Sequence, residues 1–165
     1  MEKNIRLKLF LLSSVIIFAV INTMIYQKET QLKKSHEILL PLAPIDPRSF
    51  LQGDYINLRY VLTNDLNKYY LDHNLKTPSG GYAIVSINNR NIASFVKVYE
   101  GETLPKNQFK IKFYVNKGLS LGIENYFFEE GKAKIYIKAR YAMVKISPSG
   151  EAVLTALMDK NFNRL

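Results

Sequence analysis

Gln108-Phe109-Lys110-Ile111-Lys112-Phe113-Tyr114-Val115 places an apolar side chain at every second position. A period of two over eight residues is the signature of a half-buried strand. Phe109, Ile111, Phe113 and Val115 are expected to face a core, with Lys110, Lys112 and Tyr114 facing out. Upstream, Tyr82–Ile87 and Ile92–Tyr99 flank Asn88-Asn89-Arg90-Asn91, and asparagines tolerate left-handed backbone, so this is a hairpin. Downstream, Ala139–Ser147 and Ala152–Met158 flank Pro148-Ser149-Gly150, a second hairpin. Tyr55–Thr63 (YINLRYVLT) alternates and predicts a strand with Ile56, Leu58, Tyr60 and Leu62 on one face. Glu37–Ala43 (EILLPLA) is a β-rich run whose Pro41 suggests an edge or a bulge. Asp65–Asn74 has helical spacing and fits a short helix or an irregular excursion that ends at Gly80-Gly81, and Lys132–Lys138 fits a strand or one to two helical turns, with helix preferred. The fold class is mainly β with minor α, an antiparallel, barrel-like domain of about seven strands.

Ahead of that domain, Leu9–Tyr26 reads LFLLSSVIIFAVINTMIY without a charged residue. As a helix it is about 27 Å long, close to the thickness of a bilayer's hydrocarbon core. No small-x-small cleavage site follows it, so an uncleaved signal-anchor helix is preferred over a signal peptide. Three Lys or Arg residues flank each side: Lys3, Arg6 and Lys8 before it, Lys28, Lys33 and Lys34 after it. This tie in the positive-inside count is broken by the short positive tail, giving N-in and C-out. The expected organisation is a cytoplasmic tail over 1–8, a single transmembrane span over 9–26, a stalk over 27–36 and an extracytoplasmic β domain over 37–165. The address is the bacterial inner membrane, with the domain in the periplasm or outside the cell.

The chain has 165 residues, a formal net charge of +9, no cysteine and two histidines, His36 and His73. Absent cysteine excludes disulfides, thiolate zinc sites, iron–sulfur clusters and a cysteine nucleophile. Beyond residue 8 the chain carries 20 basic against 13 acidic residues, a charge of +7. Lys97, Lys110, Lys112, Lys132, Lys134, Lys138 and Lys145 mostly take the outward phase of strands. They suit a solvated sheet with edge-protecting lysines, or, alternatively, a face toward anionic headgroups or an acidic polymer. A translocated domain has little occasion to meet nucleic acid, which removes that partner.

Gly53-Asp54-Tyr55-Ile56-Asn57-Leu58-Arg59-Tyr60 spells GDYxxLxY and follows Asp46-Pro47-Arg48-Ser49. Further on come Gly122–Gly131, with Tyr126-Phe127 ahead of Glu130-Gly131, and Ser147–Leu154 with Gly150. In these three segments and their order the chain resembles the bacterial GDYXXLXY family. The resemblance implies a membrane-anchored protein, with related domains attached to multi-helix membrane regions, and implies no activity. Read as scaffold, Gly53 permits a sharp turn and Asp54 accepts backbone N–H bonds across the loop from Pro47. Leu58 and Tyr60 then enter the core, Tyr55 and Arg59 share the other face, and Arg48 pairs with Asp46 or Asp54. Read as a site, Asp46, Arg48, Asp54, Tyr55 and Arg59 line a polar groove for a ligand or partner.

Enzyme readings have less support. The wording around Gly53-Asp54 resembles signal peptidases superficially, yet the position eight residues before the Gly-Asp pair is Ile45, not serine, and Ser49 is too close. A Ser49–Lys97 dyad has no positive support. Glu124, Glu129 and Glu130 could hold a hard cation, but glutamates on a loop are ordinarily solvated, and His73 reads as a surface histidine. No cofactor or metal is implied. The expected role is a non-enzymatic accessory domain docking onto a membrane-embedded partner, with an envelope-ligand or anionic-lipid module as the alternative and a membrane-bound hydrolase third.

Overall fold

A computed structural model describes residues 2–33, 35–44, 55–76, 78–116 and 118–165. The chain divides into two units, at Lys34/Ser35. The first is helix α1, Glu2–Lys33, within which Lys8–Gln27 is long and apolar enough to span a membrane. Within that stretch, hydroxyl and amide side chains bond back to the helix itself. Ser14 and Thr23 donate their hydroxyls to the carbonyls of Phe10 and Ala19, and the Asn22 amide donates to Phe18. Such back-bonding is what an apolar medium requires of polar groups. The helix runs on through residues 27–33.

The second unit is a half-barrel of antiparallel strands. Strand β1 (His36–Pro41) is the edge of a sheet ordered β1-β8-β9, with β8 at Tyr141–Ile146 and β9 at Ala152–Met158. Strands β3 (Gly80–Ile87), β4 (Ala93–Val98), β5 (Gln108–Val115) and β6 (Leu119–Ser120) form a second sheet in the order β4-β3-β5-β6. A bridge between Leu39 and Ile92 and a hydrogen bond from the Lys112 N–H to the Gly150 carbonyl (2.8 Å) join the two sheets. The alternation of Gln108–Val115 has the phase expected of it: Ile111 and Phe113 are fully buried, and Tyr114 is exposed. Pro41 is the last residue of its edge strand, where no ladder bond is lost.

Tyr55–Thr63 corrects one expectation. Ile56, Leu58, Tyr60 and Leu62 are all buried, but only β2, Tyr55–Asn57, is a strand. Helix α2 begins at Val61 and runs to Asp72. Tyr60 is the extended residue before it, bridging Leu42, and its carbonyl accepts from both the N–H and the hydroxyl of Thr63. The apolar period changes at this point from two to four, since Leu62, Leu66 and Tyr70 are the buried residues of α2. Gly80-Gly81 does not end the helix but opens β3, where a Cβ on Gly81 would sit 2.9 Å from the Phe113 ring. Two strands too short for periodicity, β6 and β7 (Asn125–Phe127), bring the total among the described residues to nine, and α3 is a single turn over Ala133–Tyr136.

Candidate functional site

The two motif segments are neighbours in space. Strand β2, inside GDYxxLxY, pairs antiparallel with β7, inside the Gly122–Gly131 segment, with Tyr55 opposite Phe127, Ile56 opposite Tyr126 and Asn57 opposite Asn125. The pairing continues past the ladder. The Leu58 N–H donates to the Glu124 carbonyl at 2.7 Å, and the Tyr60 hydroxyl donates to the Ile123 carbonyl at 2.8 Å. Burial raises the Tyr60 phenol far above its ordinary pKa, with the Glu124 carboxylate a smaller cause. Glu124 in turn accepts from the Ser120 hydroxyl and the Leu121 N–H, closing the turn that carries Ile123. Leu58 and Tyr60 are therefore the staples that hold the second segment against the first.

What this scaffold presents is aromatic. Phe127 is 74% exposed and Tyr55 38%, their ring centroids 5.8 Å apart on the outer face of the ribbon. On the other side Tyr126 and Phe128 pack against Tyr136 of α3, at 5.1 and 5.0 Å. A groove of about 420 Å³ lies between Phe127, Phe128, Glu129, Lys132 and Tyr136. Lys132 pairs with Glu129 on its rim, which lowers the pKa of that carboxyl. Glu130 is exposed, and Gly131 turns the chain with φ +80°. Gly150 has φ +90°, and a side chain there would meet the Tyr82 ring at 3.0 Å.

Of the residues expected to line a polar groove, Tyr55 and Arg59 are described and both are exposed; Arg59 gives its carbonyl to the Ala43 N–H. Asp46, Pro47, Arg48, Gly53 and Asp54 lie outside the described residues, as does Ser49. Glu124 and Glu129 are occupied as stated, and among the described residues no three His, Asp or Glu side chains come together as a metal site. His73 is exposed, with its ring against Tyr69. Among the outward lysines, Lys97 pairs with Glu102, Lys112 with Glu151, Lys132 with Glu129 and Lys145 with Glu37. Much of the positive charge on the strands is thus locally compensated. The Phe127 platform is not legible in periodicity because β7 has only three residues; the adjacent aromatics Tyr126-Phe127-Phe128 in the second motif segment were the available signal.

These features define a small antiparallel β domain behind an apolar N-terminal helix, built around a motif whose two parts hold each other. The family model for the GDYXXLXY protein matches residues 17–157, most of the chain, and the chain belongs to that family. Neither a curated protein nor a solved structure matches it.

Proposed function

We propose that the chain is a single-pass, membrane-anchored accessory domain, non-enzymatic, displayed on the extracytoplasmic side and docking through the β2–β7 ribbon onto a membrane-embedded protein. The observation that carries this reading is the exposure of Phe127 beside Tyr55 on a strand pair stapled in place by Leu58 and Tyr60. Burying one phenylalanine side chain is worth about 1.5–3 kcal/mol. Exposed aromatics rimmed by charges of both signs are the composition of a protein-binding hot spot. An apolar helix in the same chain would keep the domain and a membrane-embedded partner on one surface, raising their effective concentration.

A lipid surface fits the ribbon less well. Residues 127–138 hold Lys132, Lys134 and Lys138 against Glu129 and Glu130, a net charge of +1. At about 1 kcal/mol per basic residue near anionic lipid, that leaves little attraction. The test is affinity purification of the full chain in mild detergent, as the parent sequence and as Phe127→Ser. A multi-span membrane protein recovered with the parent and lost with the variant is the expected result. Monomer alone, or equal recovery with both, overturns the proposal.

A further inference from the structure

A second cleft, sharing no residue with the ribbon groove, opens where the two sheets of the half-barrel meet. Its volume is about 430 Å³, and it lies between the start of β1, the 99–104 loop, the start of β5 and the end of β8. Its walls are tied by internal bonds. Glu102 accepts the Glu100 N–H at 2.8 Å and pairs with Lys97 at 2.6 Å. Ser147 bonds the Ser149 hydroxyl and accepts the Glu151 N–H. The Glu102 charge is therefore already compensated, and among the described residues the cleft keeps one cation without a carboxylate partner. Lys110 Nζ rests over the rings of Tyr82 and Tyr99, at 5.1 and 5.4 Å, with no carboxylate paired to it among the described residues. Gln108, Thr103 and Phe109 also line the cleft, and the His36 ring lies 4.9 Å from that of Phe109.

The geometry points to a binding site for a small hydroxylated organic anion, a sugar acid or sugar phosphate, held at its charged group by Lys110. Three features support that class. A lysine on aromatic faces is a cation partly withdrawn from water, and an anion brought to it gains a charge-assisted hydrogen bond. Gln108 and Thr103 offer donors and acceptors for hydroxyl groups. Tyr99 and Phe109 give the cleft aromatic walls, as in sites that hold a ring.

The test is saturation-transfer NMR on the full chain in a polyoxyethylene detergent, which carries neither sugar nor charge. The probes are glucuronate and glucose 6-phosphate, with glucose as the neutral control. Saturable binding of either acid is expected, with glucose at least tenfold weaker. Replacing Lys110→Gln should weaken the bound acid about ten- to a hundredfold, and Lys110→Arg should retain it. The two acids distinguish a carboxylate from a phosphate ligand. Binding of neither acid, equal binding of glucose, or binding unchanged in Lys110→Gln overturns the proposal. If Lys110→Gln loses the native near-ultraviolet signal of its tyrosines, Gln108→Ala is read instead, with a several-fold weakening expected and unchanged affinity counting against the site. Because the cleft and the ribbon share no side chain, Phe127→Ser leaves this binding intact.

Discussion

Replacing Tyr60→Phe removes one oxygen atom from a fully buried side chain and leaves its ring packing in place. That oxygen donates to the Ile123 carbonyl across 63 residues of sequence, so its loss acts on the junction between the two motif segments. The variant forfeits the net value of the bond and leaves the Ile123 carbonyl unpaired beneath the ribbon, together about 1–3 kcal/mol. The assay is urea unfolding of the full chain in micelles, followed by near-ultraviolet dichroism of its 11 tyrosines; with no tryptophan present, that signal reports the β domain, since only Tyr26 lies in α1. With a slope of ~1–3 kcal/mol per molar, the midpoint should fall by about 1 M at an unchanged slope. The same substitution changes the alkaline limb. The folded-state pKa of Tyr60 is raised above its ordinary value of 10.0 by burial first and by Glu124 second. The stabilisation from keeping this phenol protonated is therefore complete below pH 10 and is lost as pH rises above it. The advantage of the parent over Tyr60→Phe should shrink above pH 10. A midpoint unmoved by the substitution at neutral pH would refute the role of Tyr60 as a staple.

Further outcomes follow from the same geometry. Gly150→Ala and Gly131→Ala both place a side chain at positive φ, costing about 1 kcal/mol; only Gly150 also meets backbone, the Lys110 carbonyl at 3.2 Å, and the Tyr82 ring. Gly150→Ala should be the more destabilising in thermal unfolding, and equal losses would contradict the close packing of the β8–β9 turn on β5. The Glu102 carboxyl, held down to about 2 by Lys97 and by backbone N–H groups, should titrate near there by NMR. Its contribution to stability is present above the ordinary carboxylate pKa of 4.5 and is lost as pH falls through about 2. Lys97→Met should move the titration back toward 4.5, and an unmoved value would show that Lys97 is not its main cause.

Much of this fold is legible in single segments. Gln108–Val115 carries its burial phase openly, and the hairpins at Asn88–Asn91 and Pro148–Gly150 declare themselves through turn residues of defined conformational preference. Tyr55–Thr63 is half legible: its inward residues are right, but alternation cannot say where a strand gives way to a helix when Leu62 satisfies both periods. Strands β6 and β7 are invisible to periodicity, since two or three residues cannot express one. Their existence depends on their partners, Tyr114 and Val115 just upstream for β6 and the distant Tyr55–Asn57 for β7. The candidate site was legible only as a motif. The aromatic pair Tyr55–Phe127 was not legible, because strand pairing, not sequence proximity, decides which side chains share a face.

Site-specific photocross-linking at position 127 in living cells tests the docking surface most directly. A photoreactive residue replaces Phe127 in the full chain, with Val153, an exposed residue on β9, as the matched control. One discrete adduct to a multi-span membrane protein is expected from position 127 and none from 153. Adducts of equal yield from both positions, or no protein adduct from 127, would contradict it.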